Sequence, residues 1–486
     1  MSSSNSEKDV YTEADREKEA ATEISQNALP TISRKRNRLL LHRIDRVVLP
    51  IVSLLYLLAF LDRSNIGNAA AAGMTEDLGL HGNQLNVGVS VFYVLYVLVE
   101  TPATVLVKKV GTSRMLAIVM TGWSLVVVFS GFMKNYAGLL VTRLLLGLFE
   151  GCLFPTITIY LATIYLQDEL NTRLAYFFGA SALSGAFGGL LAWAILQMEG
   201  VGGKKGWQWL YIIEGLISFI GVVVAYFGLP DDIEKAWFLG EEDRQLVRQR
   251  HEMSKVFHGN QQFSWTEVRR AFADPKLWMF CVSQFCSDII LYGFSTFLPA
   301  IIKTLGYTDL SVQYMTIPVY IVGAVSFLGV AMIADRTGFR VGLLIPCAFL
   351  CIIGYALLLG VTNTKVMYFG TFLVAMGLYV LVGLNIGWLN NNTAPHFKRA
   401  TALGFTQSVA NTAGIVAGQI YPDSSAPRYK LGHYFSMFCA VGAVIVYVIT
   451  FLYLKIRNKQ KQKRLDNGEY RPSADGDDSD EFFYIY

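Results

Sequence analysis

The chain has 486 residues, of which 53% are hydrophobic and only 16% charged, against roughly a quarter charged in soluble domains. Its mean hydropathy of +0.40 excludes a water-soluble fold of this size. The net charge of +4, from 41 Lys+Arg against 37 Asp+Glu, is too balanced to suggest a nucleic-acid partner.

Read from the N-terminus, residues 1–46 are polar and are expected to form a disordered cytosolic tail, with 1–33 rich in Ser, Glu and Asn. They hold no short apolar segment of a cleavable signal, so the first span is expected to act as its own insertion signal. Arg34, Lys35, Arg36, Arg38, Arg43 and Arg46 lead into a series of apolar blocks. Each block has about 20 residues, enough to cross ~30 Å of hydrocarbon. The first six fall at 47–68, 85–107, 115–133, 138–164, 173–197 and 207–229. After a polar stretch at 230–276, six more fall at 277–303, 312–334, 341–360, 366–389, 400–420 and 434–456. The tail 457–486, basic and then acidic, reads as disordered. The expected fold is an all-α membrane protein of twelve transmembrane helices. Two six-helix bundles, 47–229 and 277–456, flank a central loop.

Orientation follows from the basic residues. With the N-terminus in the cytosol, only seven of the 41 lie in outer loops: Lys134, Lys204, Lys205, Lys303, Lys365, Arg428 and Lys430. Arg63 and Arg143 sit within spans, and the other 32 are cytosolic. The positive-inside rule therefore places both termini and the central loop inside. The halves also echo one another. Lys108, Lys109 and Gly111 follow the second span as Asp335, Arg336 and Gly338 follow the eighth, and the two glycines are 227 residues apart. Parallel repeats of this kind are a transporter architecture, with the substrate site near the midplane between the halves.

Ionisable residues inside hydrocarbon cost roughly 2.5–3.5 kcal/mol on insertion scales, so each is a functional candidate. The first span carries Asp62, Arg63 and Asn65, with Arg63 about 24 Å along a helix that starts near Val47. The fourth carries Arg143 and Glu150, seven residues apart and on one helical face. Glu100, Glu214 and Asp288 complete the set. The competing reading is buried ion pairs that only fix helix packing, and it weighs most on Glu100 and Glu214, near span ends. Asp62 and Arg63 are adjacent, project about 100° apart and so face different partners. All six histidines read as loop or tail residues, which leaves carboxylates to carry protons. Desolvation favours the neutral form of a carboxyl group, whereas a buried arginine stays charged and offers a fork to a carboxylate. Two fixed cations beside titratable carboxylates suit joint binding of an organic anion and a proton. No Cys/His cluster has metal-ligand spacing, no cofactor motif appears, and the six cysteines all fall in apolar blocks, so no disulfide is expected.

The stretch Ala331, Asp335, Arg336, Gly338, Arg340 resembles the loop signature of the major facilitator superfamily, with Ala331 in place of its first glycine and Lys108 replacing the acid in the first-half copy. The resemblance implies a gating latch at Asp335, Arg336, Gly338, Lys108, Lys109 and Gly111. Leu61 to Ala69, Arg143 to Pro155, Gly206 to Gly215 and Leu229 to Glu242 are similar to motifs of the anion:cation symporter family, in its fungal allantoate and nicotinate permease branch. Tyr292, Gly293 and Pro299, then Asn392 to Pro395 and Arg399 to Thr401, extend the match, which covers roughly 40–455. It implies that Arg63 and Arg143 hold or gate the anion, that Glu150 and Asp62 take protons, and that Gln407 and Asn411 line the cavity. Asn65, Tyr93 and Tyr292 are further lining candidates. Asp288 has no place in the family pattern and is a third proton candidate.

The expected function is proton-coupled uptake of a small organic carboxylate by a monomer in the plasma membrane. The alternative is an exporter of a secondary metabolite. Against it, the segment Gly179 to Gly189 has close-contact glycines but lacks the proline of drug antiporters. A nutrient-sensing receptor is a lesser alternative. A membrane enzyme finds no support, because no nucleophile elbow, zinc-binding His pair or phosphate loop is present.

Overall fold

The computed structural model describes residues 33–165, 167–258, 264–307, 310–468 and 476–486. The expectation of disorder over 1–46 therefore lies outside the described residues up to 32 and is overturned at 34–46, where the basic run continues as helix into the first span. Every extended regular element among them is a helix. The spans are Arg34–Ala71, Gln84–Val110, Thr112–Ser130, the pair Tyr136–Glu150 and Leu153–Ile164, Gln167–Leu196 and Gly206–Gly228. In the second half they are Pro275–Thr304, Leu310–Thr337, Val341–Gly360, Thr364–Asn391, His396–Gln419 and Lys430–Asp466. Ten of these are long and apolar enough to cross a bilayer, counting the broken fourth as one. The other two are the fifth, apolar over Leu183–Leu196, and the eleventh, diluted by Thr401, Thr406, Gln407, Ser408, Asn411 and Thr412. Those polar groups are tolerated in a membrane helix when they face the protein interior.

Local sequence sets the helix ends. Asn135, Asp274 and Asn363 cap their helices by accepting from main-chain N–H groups at 3.0 Å, and Pro275 occupies the first turn, where its missing N–H costs nothing. Gly111 and Gly338 end the second and eighth spans with φ of +93° and +67°, in the left-handed region that favours glycine.

The described residues of 1–46 and 232–262 form a compact unit of their own, in which Arg43 pairs with Asp243 and Arg250 with Asn37. The other unit, 47–231 with 263–486, holds both helical halves. Spans 2 and 11 meet through Asn86, whose amide donates to Gly418 O at 2.7 Å and Tyr421 O at 3.0 Å. Ser90 Oγ donates to Ile415 O at 2.8 Å. Gly185 and Gly189 of span 5 lie against Tyr320 and Thr316 of span 8. Small residues let membrane helices approach this closely. At Gly67 the approach is closest, because a Cβ would stand 2.0 Å from Thr296 O of span 7. Gly67→Val is accordingly expected to bar this arrangement of spans 1 and 7 and to cut uptake at least about ten-fold at matched surface abundance. Unchanged uptake would show that the contact is dispensable.

Two further expectations need correction. The tail 457–486 is not a disordered extension over its described part. Span 12 continues as helix to Asp466, and residues 476–486 pack back, with Asp477 and Asp480 fully buried. Charge explains this, since acidic side chains in the tail meet lysines and arginines at the helix ends. His433, read as a loop residue, lies within the first turn of span 12, buried between the rings of Tyr355 and Tyr421 at 5.7 and 5.6 Å.

Candidate functional site

Arg63 of span 1 is the centre of the polar interior. Its Nε donates to Glu150 Oε1 of span 4 at 3.0 Å, and Nη2 donates to the same oxygen. Both groups are buried, at 8% and 1% exposure. Aromatic rings surround the guanidinium. Phe60 and Tyr96 centre 4.6 and 4.9 Å from Arg63 Cζ, Phe92 lies at 5.4 Å, and Tyr93 and Tyr292 both at 5.8 Å. A cation–π contact contributes about 0.5–2 kcal/mol, whereas breaking a buried ion pair costs about 3–5 kcal/mol. Glu150 therefore sets the position of Arg63, and the rings exclude water from it. Glu150 Oε2 has no hydrogen-bond partner among the described residues.

The cage reaches into the other half. Tyr292 of span 7 packs against Tyr93, with ring centroids 4.9 Å apart and planes tilted by 46°, and donates its hydroxyl to Asn411 Oδ1 at 2.8 Å. Asn411 Nδ2 of span 11 donates in turn to Glu100 Oε2 of span 2 at 3.2 Å, and Ser408 Oγ donates to the same oxygen at 3.3 Å. Span 2, with Tyr93, Tyr96 and Glu100, thus faces both the ion pair and span 11. Arg63 thus lies where side chains of both halves converge.

The sequence profile of the Major Facilitator Superfamily matches residues 52–418. This chain belongs to that superfamily. The transporter is 52% identical over 453 residues to an uncharacterized transporter of Schizosaccharomyces pombe, with 93% of this chain and 91% of that one covered. It is 36% identical over 473 residues to the high-affinity nicotinic acid transporter of Saccharomyces cerevisiae, covering 96% and 88%. Its fold is similar to that of a crystallised D-xylose–proton symporter, with TM-score 0.64 at 12% identity over 83% of this chain and 96% of that one. The relatives and the fold are those of membrane transporters, not of enzymes.

The transporter places the remaining candidates as follows. Glu150 pairs with Arg63, not with Arg143 of its own helix. Arg143 Nη2 instead reaches Tyr211 OH of span 6 at 2.9 Å. Asp62 points away from Arg63 and accepts from Ser218 Oγ of span 6 at 2.9 Å, with Asn65 Nδ2 3.5 Å from its other oxygen. Glu214, between Tyr211 and Ser218 on span 6, is buried with neither oxygen bonded among the described residues. Asp288 joins a polar cluster of spans 7 and 10. Gln284 Nε2 lies 3.3 Å from its Oδ1, Asn385 Nδ2 donates to Gln284 Oε1 at 2.7 Å, and Ser283 Oγ donates to Asn385 at 3.1 Å. Gln407 is half-buried and makes no hydrogen bond among the described residues.

Of the gating candidates, Asp335 and Arg336 are exposed, and Asp335 lies 3.9 Å from Arg340 Nη2. Lys109 is exposed, and the Lys108 side chain lies outside the described residues. Sequence reasoning ranked Glu100 low and missed Phe60, Tyr96, Gln284 and Asn385. Only the spacing of Tyr93, Tyr96 and Glu100, three and four residues apart on one helical face, could have drawn attention to part of the set.

Asn411 joins Tyr292 of the cage to Glu100 of span 2. Asn411→Ala leaves the Tyr292 hydroxyl and Glu100 without it, and an unsatisfied buried polar group costs about 1–3 kcal/mol. Uptake is expected to fall about ten-fold, read as initial rate at matched surface abundance. Wild-type rates would remove Asn411 from the site.

Proposed function

We propose that this transporter takes up a small organic carboxylate, of nicotinate or allantoate type, together with a proton, as a member of the anion:cation symporter family. The observation that carries the reading is the buried Arg63–Glu150 pair inside an aromatic cage that includes rings of both halves. The guanidinium is the fork a substrate carboxylate requires, and flat walls at Tyr93 and Tyr292 suit a planar substrate. A carboxylate arriving at Arg63 competes with Glu150. Once displaced, Glu150 is free of its guanidinium partner and takes the proton. With the charges matched, the halves rock and the site opens to the other side. Arg143 and Asp62, held by Tyr211 and Ser218 of span 6, are two further buried charged groups of the same half.

The relative that transports nicotinic acid supports the substrate class. The test is uptake of labelled nicotinate, against allantoate and pantothenate as competitors, at acidic and neutral outer pH. Acid-stimulated, carboxylate-competed uptake is expected. Outward movement from preloaded vesicles with no inward accumulation would instead favour export.

Location in the plasma membrane, a monomeric state and cytosolic termini complete the proposal, the last resting on the 32 basic residues assigned to one side against seven on the other. A protease site inserted at residue 250 is expected to be cut only in permeabilised cells. Cleavage in intact cells would reverse the orientation.

A further inference from the structure

The acidic segment 476–486 is seated in a built pocket at the end of the C-terminal half from which residues 457–466 project. Asp477, fully buried, accepts from Lys276 Nζ of span 7 at 2.5 Å and from Lys398 Nζ of span 11 at 2.7 Å. Lys461 Nζ of span 12, also fully buried, donates to the main-chain oxygens of Asp477, Ser479 and Phe482 at 2.6, 2.8 and 2.7 Å. Arg464 pairs with Asp480. Asn458 brackets Tyr484, donating to its O and accepting from its N, both at 2.9 Å. Trp388 Nε1 and Asn392 Nδ2, at the end of span 10, donate to Ile485 O at 2.8 and 2.9 Å. The Tyr486 O accepts from Arg340 N at 2.6 Å, in the loop between spans 8 and 9.

The pocket is charge-incomplete without this segment. With the segment seated, Lys276, Lys398 and Lys461 are at most 3% exposed, and the body of the protein offers two of them one carboxylate, Asp274, at 3.3 and 2.8 Å. Burial pushes the Asp274 carboxyl up, but the ammonium groups of Lys276 and Lys398 outweigh it and hold it below the usual carboxylate range, so it stays charged. With the segment lifted, three clustered ammonium groups would face one carboxylate; with it seated, Asp477 supplies the second, and the segment's carbonyls supply the hydrogen bonds that a buried Lys461 requires. The Tyr484 ring covers two of the lysines, with its centroid 4.2 Å from Lys276 Nζ and 4.3 Å from Lys461 Nζ.

We propose that this pocket is a binding site for an acidic peptide, that its occupant is the chain's own segment 476–486, and that the seated segment latches the ends of spans 10 and 11 to spans 7 and 12. Every partner named above belongs to the C-terminal half, so the latch braces that half as one body. Spans 10 and 11 also carry Asn385 and Asn411, so release of the segment loosens the helices that present these groups.

The test uses the full chain in lipid nanodiscs with Asn458→Cys and Tyr484→Cys. Mild oxidation is expected to cross-link the pair, read as a joined peptide by mass spectrometry. Hydrogen exchange at residues 388–398 is expected to be at least about five-fold slower in the oxidised than in the reduced protein. In the otherwise unsubstituted chain, Asp477→Lys is expected to speed exchange there by a similar factor, with span 1 unchanged. Absence of the cross-link overturns the seating. Equal exchange in oxidised and reduced protein overturns the latch, and that comparison decides the matter if Asp477→Lys loosens the whole chain.

Discussion

Arg63→Ala is expected to abolish uptake while the protein still reaches the membrane. The substitution removes the guanidinium from an aromatic cage and leaves Glu150 buried, with no hydrogen-bond donor to either oxygen among the described residues. Loss of one partner of a buried pair destabilises the fold by about 3–5 kcal/mol, and without the guanidinium the cage has no cationic fork to offer a carboxylate. Glu150 can escape part of that cost by taking a proton, so the chain is expected to fold and be delivered. Arg63→Lys is expected to recover less than about a tenth of the rate, because an ammonium group lacks the fork that lets Nε and Nη2 engage one carboxylate together. Full transport by Arg63→Ala at matched surface abundance would make the pair structural. Tyr211→Phe separates the roles of Arg143, since it removes the one described hydrogen bond of that arginine and leaves its charge. Normal uptake in Tyr211→Phe beside lost uptake in Arg143→Ala would point to the charge itself.

Glu150→Gln is expected to lose proton-driven accumulation yet keep exchange of substrate across the membrane. The geometry favours this variant. Both bonds from Arg63 end on Oε1, which the amide oxygen can replace, while Oε2 has no partner that an amide NH2 would displace. Glutamine thus imitates the protonated state without disturbing the fork. Accumulation is expected to fall to the equilibrium level, and the pH dependence of uptake to flatten. The readout is labelled substrate in vesicles with and without an imposed pH gradient, alongside counterflow. Concentrative uptake with normal pH dependence would exclude Glu150 as the carrier. Asp62, whose bond to Ser218 already holds one oxygen, would be tested next, and Asp288 after it.

The sequence by itself determined the membrane class, the order and approximate extent of the helices, and which charged residues lie at depth. These properties are local. Twenty apolar residues make a span whatever surrounds them, and a carboxylate or guanidinium within that span is visible as a letter. It also determined that Asp62 and Arg63 face different partners, since adjacent residues diverge by about 100° on a helix. What that geometry cannot contain is the identity of the partner. Glu150 and Arg143 share a helical face, yet the glutamate pairs with Arg63, 87 residues away, because the packing of span 1 against span 4 brings a second cation closer than the helix's own. Glu100 gains its role from Asn411, 311 residues on, and Asn411 is engaged while Gln407 is not. An i, i+4 pair is offset by about 40° around the helix, and only the position of span 2 decides which of the two meets a partner. The acidic segment 476–486 looked disordered for the same reason. Its composition is that of a solvated tail, and only the meeting of three helix ends produces the lysines that hold it.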